Sequence, residues 1–181
     1  MQSIAVFGGS YYSENAPEFQ LAEKIGAFLA KNGFVLINGG NGGLMLASAK
    51  GARGVKTSQV IGYVPEHEKQ FSPNEFCTSM VKCPDRFERL IMMIHRSDGF
   101  IILPGGIGTL SEFFTTWDAA RTKTIGAKPI ILIGEIWKNL SLIISLLGGY
   151  LIKDDWKFLT VINSNDPEIV LKKLKTALLG C

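Results

Sequence analysis

Short runs of wholly apolar residues alternate along this chain with longer stretches in which apolar positions recur every three or four residues. The first kind reads as buried strand and the second as helix with one buried stripe. The predicted strands are Ser3–Phe7, Phe34–Asn38, Gln59–Val64, Gly99–Leu103 and Pro129–Ile133, with a short strand near Cys77–Val81 and an edge segment at Thr160–Ser164. One helix is predicted from about Ala16 to Asn32, where Phe19, Ala22, Ile25, Phe28 and Leu29 form the stripe and Gly33 the stop. Others are predicted from Gly43 to about Arg53, from about Asp85 to Arg96, from Thr109 to about Arg121, at about Trp137–Leu147, and from Pro167 with Asp166 as N-cap. Residues 66–80, polar and interrupted by Pro73, read as a loop over the open end of a sheet.

Strand and helix in alternation argue for an α/β fold, Rossmann-like and doubly wound, with a mainly parallel sheet and helices on both faces. At 181 residues a single domain spanning residues 1–181 is expected. In open sheets of this kind ligands sit beyond the carboxyl ends of the strands, where the strand order reverses. Three glycine-rich turns follow predicted strands: Gly8-Gly9-Ser10, Gly39-Gly40-Asn41-Gly42-Gly43, and Pro104-Gly105-Gly106-Ile107-Gly108-Thr109. They are expected to converge on one site.

Glycines let the backbone approach a phosphate closely, and a helix that opens directly after them supplies free N–H groups and the positive end of its dipole. A phosphorylated small molecule is therefore expected on Gly8, Gly9, Ser10, Gly39, Gly40, Gly43 and Pro104 to Thr109. The loops lack the Lys-Ser/Thr of an ATP-hydrolysing phosphate loop and do not match the dinucleotide fingerprint, so a mononucleotide fits better than ATP or NAD. Taken singly, each loop also reads as a tight turn or a plain connection.

Glu112 supports two readings. In Thr109-Leu110-Ser111-Glu112 it completes a capping box, with Thr109 as N-cap and Glu112 reaching back to the threonine N–H. One turn into a phosphate-holding helix, its carboxylate would also lie close to a ribose. Arg89 reads either as the partner of Asp85 in an exposed i, i+4 ion pair or as a ligand contact. Met92 and Met93 read as core, and Met93, on the side of Arg89, is also a candidate contact for a base. Trp117, with Phe113 and Phe114, packs its helix on the sheet or on a partner, and Arg121 closes that helix.

Charge narrows the classes. A net charge of +3, scattered apart from Lys172, Lys173 and Lys175, gives no basic stripe for nucleic acid. His67, His95, Cys77, Cys83 and Cys181 lack metal-ligand spacing, so no metal or cofactor is expected, and free thiols fit a reducing compartment. Met1 leads almost directly into a strand without a secretory leader, which points to the cytoplasm. The most apolar segment, Leu140 to Leu151, is broken by Ser141, Ser145, Gly148 and Gly149 and is too short to cross a membrane.

The nine residues from Pro104 to Glu112 fill every fixed position of Pro-Gly-Gly-x-Gly-Thr-x-x-Glu and resemble the signature of the LOG family, cytokinin-activating phosphoribohydrolases often labelled lysine decarboxylases. Ile4-Ala5-Val6-Phe7-Gly8-Gly9-Ser10 and Gly39 to Met45 are similar to that family's two earlier loops in order and spacing, and the likeness covers roughly residues 1–135. The resemblance implies a homodimer that hydrolyses the N-glycosidic bond of a nucleoside 5′-monophosphate, releasing base and ribose 5-phosphate. Glu112 would serve the cleavage, whose transition state is oxocarbenium-like. Arg89 falls on a family arginine that orients ribose or phosphate. The family's next residue, a lysine, is Leu90 here. That departure favours an alternative, a non-catalytic binder of a nucleotide or of a phosphorylated pterin, similar to molybdenum-cofactor carriers. A pyridoxal-dependent decarboxylase would need a lysine beside the loops, and there is none.

Overall fold

Strands that are apolar at nearly every position must be covered on both sides, and Val35–Asn38, Gly99–Ile102 and Ile130–Ile133 are buried throughout. A computed structural model describes residues 1–67, 74–140, 142 and 156–180. Its strands β1 (Ser3–Phe7), β2 (Val35–Asn38), β3 (Val60–Pro65), β4 (Ser79–Cys83), β5 (Gly99–Ile102), β6 (Ile130–Ile133) and β7 (Leu159–Ile162) form one sheet in the order β4-β3-β2-β1-β5-β6-β7. Every neighbouring pair is parallel. The helices are α1 (Pro17–Lys31), α2 (Leu44–Arg53), α3 (Arg86–Arg96), α4 (Ile107–Arg121) and α5 (Pro167–Leu179).

Alternation along each strand divides the core in two. Ile4, Val6, Leu36, Ile101 and Ile131 face α1, α2 and α5, whereas Ala5, Phe7, Ile37, Phe100 and Ile130 face α3 and α4. Phe113, Trp117 and Trp137 stack on the second face, with ring centroids 5.5 and 5.3 Å from Phe113. Trp117 thus packs α4 on the sheet, as expected.

From β1 the chain winds outward through β2, β3 and β4, then returns to β5 on the other side of β1. The strand order reverses between β1 and β5, and the crevice opens there.

Three boundaries differ from expectation in ways that matter. Helix α4 opens at Ile107 with Gly106 as N-cap and no side-chain cap, two residues before Thr109. β4 lies at Ser79–Cys83 rather than Cys77–Val81. Of the helix expected at Trp137–Leu147, Glu135–Asn139 is a 3-10 turn, and residues 143–147 lie outside the described residues, as do 68–73 of the expected loop, most of Leu140–Leu151, and Cys181. Among the described residues no helix is long and apolar enough to cross a membrane.

The caps of α3 and α5 come from side chains. Asp166 Oδ1 accepts from the Glu168 N–H at 2.8 Å, and Asp85 Oδ1 accepts from the N–H groups of Phe87 and Glu88 at 2.7 and 2.9 Å. Asp85→Ala is expected to cost about 1 kcal/mol in urea unfolding.

Candidate functional site

Two of the glycine turns are tied together by the sheet itself. The Leu103 N–H donates to the Phe7 carbonyl at 2.9 Å, and one step further the Gly9 N–H donates to the Pro104 carbonyl at 3.0 Å. The third loop is drawn in where the Leu44 N–H donates to the Gly9 carbonyl at 2.9 Å. Gly43 makes that approach feasible: its φ is +60°, and a Cβ there would overlap the Gly9 carbonyl and the Ser10 backbone. Buried Asn38 fixes the rest of this loop, accepting from the Gly40 N–H at 2.8 Å and donating to the Met45 carbonyl at 2.9 Å.

These contacts shape a cavity of about 290 Å3 between the loops and the first turns of α3 and α4. Of the expected site residues, Gly8, Gly9, Ser10, Arg89, Gly106, Ile107, Gly108, Thr109 and Glu112 line it. The first N–H groups of α4 have no intrahelical acceptor, and no side chain caps them, so the helix presents an anion-binding end to this space.

The capping-box reading of Glu112 does not hold. With the helix opening at Ile107, Thr109 is already the third helical residue and Glu112 the sixth, too far along to reach an N-cap amide. Its half-buried carboxylate instead lines the cavity and is pushed up to about 7 by burial, with Arg89 pulling the other way. Nor does Arg89 pair with Asp85, whose carboxylate is engaged by the α3 amides. Arg89 Nε donates to the Tyr63 carbonyl at 2.9 Å, and its Nη2 lies 3.9 Å from Met45 Sδ. Burial lowers its pKa, opposed by Glu112. A half-buried guanidinium and a half-buried carboxylate thus line one cavity, the kind of charge pairing that sites of chemistry concentrate.

Other expected residues support the cavity without lining it. Gly39 lies behind the arginine, where a Cβ would collide with the guanidinium, so this glycine makes room for Arg89 and not for a ligand. Gly40 and Gly43 shape the loop, and Pro104 and Gly105 lie beneath the crevice. Met93 is wholly buried in the core, so no contact with a base is made there. Four residues on from Arg89, the helix has advanced about 6 Å down the sheet, below the cavity. Leu90 packs against that same core.

Tyr11, Asn41 and Met45 also line the cavity without being expected there, and so does Arg86, expected only, like Arg96, as a partial substitute for the charge missing at Leu90. Arg86 stands three residues before Arg89 on one helix face, a spacing legible in principle. Asn41 sits inside a loop noticed for its glycines alone.

Comparison with known proteins adds four findings. The model of the SLOG cluster4 family matches residues 1–144. The cytokinin riboside 5′-monophosphate phosphoribohydrolase of Mycobacterium tuberculosis is 31% identical over 140 residues, covering 76% of this chain and 73% of that protein. The pyrimidine/purine nucleotide 5′-monophosphate nucleosidase of Escherichia coli K12 is 30% identical over 116 residues, 60% of this chain but 25% of that protein. Among solved structures, the molybdenum cofactor binding protein of Rippkaea orientalis shares the fold with a TM-score of 0.74 at 22% identity, over 97% of this chain and 96% of that one.

Proposed function

Since the chain belongs to the SLOG cluster4 family, a LOG-like group, we propose that it hydrolyses the N-glycosidic bond of a nucleoside 5′-monophosphate, giving free base and ribose 5-phosphate. The observation that carries this reading is the placement of Glu112 and Arg89 in one cavity with the uncapped N-terminus of α4.

The 5′-phosphate sits on the amides of Ile107, Gly108 and Thr109, with the Gly8–Ser10 backbone as its side wall. From Ile107 to Glu112 the helix rises about 7.5 Å, comparable with the reach of a ribose from its 5′-phosphate to its anomeric carbon. As the bond from C1′ to the base nitrogen breaks, its electron pair leaves with the base and positive charge grows on the sugar ring. The ionised carboxylate of Glu112 stabilises that charge and takes the proton of the water that adds to C1′, and the departing base nitrogen gains a proton in exchange, which returns Glu112 to its ionised form. Arg89, fixed by the Tyr63 carbonyl, orients the sugar phosphate and holds Glu112 closer to ionisation. Thr109, folded back over Gly105, keeps the first turn of the helix rigid.

Incubation with AMP, GMP, CMP and UMP, followed by chromatography for free base, tests the activity. Base release by the wild type and none by Glu112→Gln supports it; no release from any of the four overturns it. Leu90, in place of the family lysine and turned into the core, favours a second reading, a binder without turnover. Calorimetric binding of AMP with no base released selects that one.

We also infer a homodimer. Phe87 (82% exposed) and Ile91 on α3, with Ile107 (84% exposed) and Phe114 on α4, leave apolar surface on the two helices whose first turns border the cavity. Light scattering is expected to give twice 19.8 kDa, and Phe87→Asp with Ile91→Asp to give the monomer mass. The free thiols of Cys77 and Cys83 are in keeping with a cytoplasmic location.

A further inference from the structure

Tyr11 belongs to no glycine motif, yet it follows the first loop directly and lines the cavity while 67% exposed. An exposed aromatic ring is ordinarily free to swing. This one is held, because it stacks on Tyr12 with centroids 4.7 Å apart and planes 24° from parallel. Tyr12 is anchored in turn, packed against the α1 face of the core. Burial, and then a hydrogen bond with Tyr11, keep the Tyr12 hydroxyl protonated well above the ordinary range.

The position of the held ring is specific. Its edge comes within 3.0 Å of where a side chain on Gly9 would begin, and within 3.9 Å of the same point on Gly106. It therefore bridges the two loops that meet over β1 and β5, directly above the start of α4. The Gly8–Ser10 backbone, the first turn of α4 and the Tyr11 ring line the same cavity as Glu112 and Arg89, and of these three side chains Tyr11 is the one that reaches far into solvent.

Resting on the reading that this seat holds the 5′-phosphate of a nucleotide, we infer that Tyr11 is a specificity-determining residue: its ring closes the outer end of the seat and restricts the ligand to a phosphate monoester, excluding nucleoside di- and triphosphates. A second phosphoryl group would extend from the first away from the ribose, into the volume the ring occupies. Displacing a ring that is stacked and fixed at its base breaks packing that a monoester leaves intact. Position 11 thereby does sterically what the amides cannot, since a helix N-terminus attracts the greater charge of a diphosphate more strongly.

Calorimetric titration with AMP and with ADP, on the wild type, Tyr11→Phe, Tyr11→Trp and Tyr11→Ala, tests this without requiring turnover. The wild type and both aromatic variants are expected to prefer AMP by at least tenfold. For Tyr11→Ala the preference falls below threefold, chiefly because ADP now binds. A thermal melt of each variant checks that the fold persists, and the wild-type and Tyr11→Phe titrations can each still overturn the inference where the alanine protein is unstable. A wild type that does not discriminate, an unchanged preference in Tyr11→Ala, or lost preference in Tyr11→Phe overturns the inference alone. AMP that fails to bind the wild type overturns the nucleotide reading and the inference together.

Discussion

Glu112→Gln is expected to lower the rate of base release from AMP by roughly 100- to 10,000-fold, the usual contribution of a positioned acid–base group. Glutamine keeps the size of the side chain and loses the charge, so ligand binding should survive. The same substitution is expected to change stability in a pH-dependent direction. Burial raises the folded-state pKa of Glu112 from the ordinary 4.5 to about 7. Between those values the folded protein holds a proton that the unfolded chain has lost, so wild-type stability falls as pH rises from about 4.5 to about 7 and levels off above. Glu112→Gln lacks this titration. Its stability relative to the wild type should increase across that window by on the order of 3 kcal/mol, read as a larger gain in Tm at pH 8 than at pH 5. Loss of turnover accompanied by a gain in stability would mark a residue kept for its chemistry.

The second large effect belongs to Arg89. Arg89→Met removes the charge facing the sugar phosphate and is expected to reduce kcat/KM by about 100-fold, in line with the loss of a charged hydrogen-bonding partner at roughly 3 kcal/mol. It should also move the pH profile. In the wild type, activity is expected to fall on the acid side as Glu112 takes up its proton near pH 7. Arg89 is the group that opposes the effect of burial, so without it the carboxyl protonates at higher pH and the acid limb shifts upward. Gly39→Ala should reproduce both changes without touching either charged residue, because its methyl group occupies the guanidinium's place. Rate measurements for the two variants across pH 5–9 check this, and acid limbs at the same pH in wild type and Arg89→Met would contradict it.

Much of this was legible in the chain before any coordinates. The central strands could be read because each is a short, largely apolar run bounded by glycine, proline or polar residues, whereas the edge strand β4, with Ser79 and Lys82 exposed, was displaced by two residues. The crevice followed from those strands, since the glycine turns fall after β1, β2 and β5 and parallel order gathers their ends. What escaped was decided by contacts between distant segments. Thr109-Leu110-Ser111-Glu112 satisfies a capping box locally, but the extended backbone of Gly106 opens α4 earlier and leaves Glu112 free to face Arg89. Asp85 and Arg89 have the spacing of an ion pair, yet Asp85 is taken up by two amides of its own helix and Arg89 turns to a carbonyl on β3. Gly39 reads as a phosphate contact, and only the packed structure reveals that its missing side chain accommodates an arginine. Met93 shares a helical face with Arg89 but lies one turn deeper, where the sheet covers it.

The proposed chemistry requires an anion held by the opening turn of α4 with Glu112 and Arg89 beyond it. Titration of AMP and of adenosine against the Glu112→Gln protein, which binds without consuming its ligand, tests this most directly. AMP binding at least 100-fold tighter than adenosine, and weakened by added ribose 5-phosphate, is the predicted result. Equal affinities, or AMP binding indifferent to ribose 5-phosphate, would contradict it.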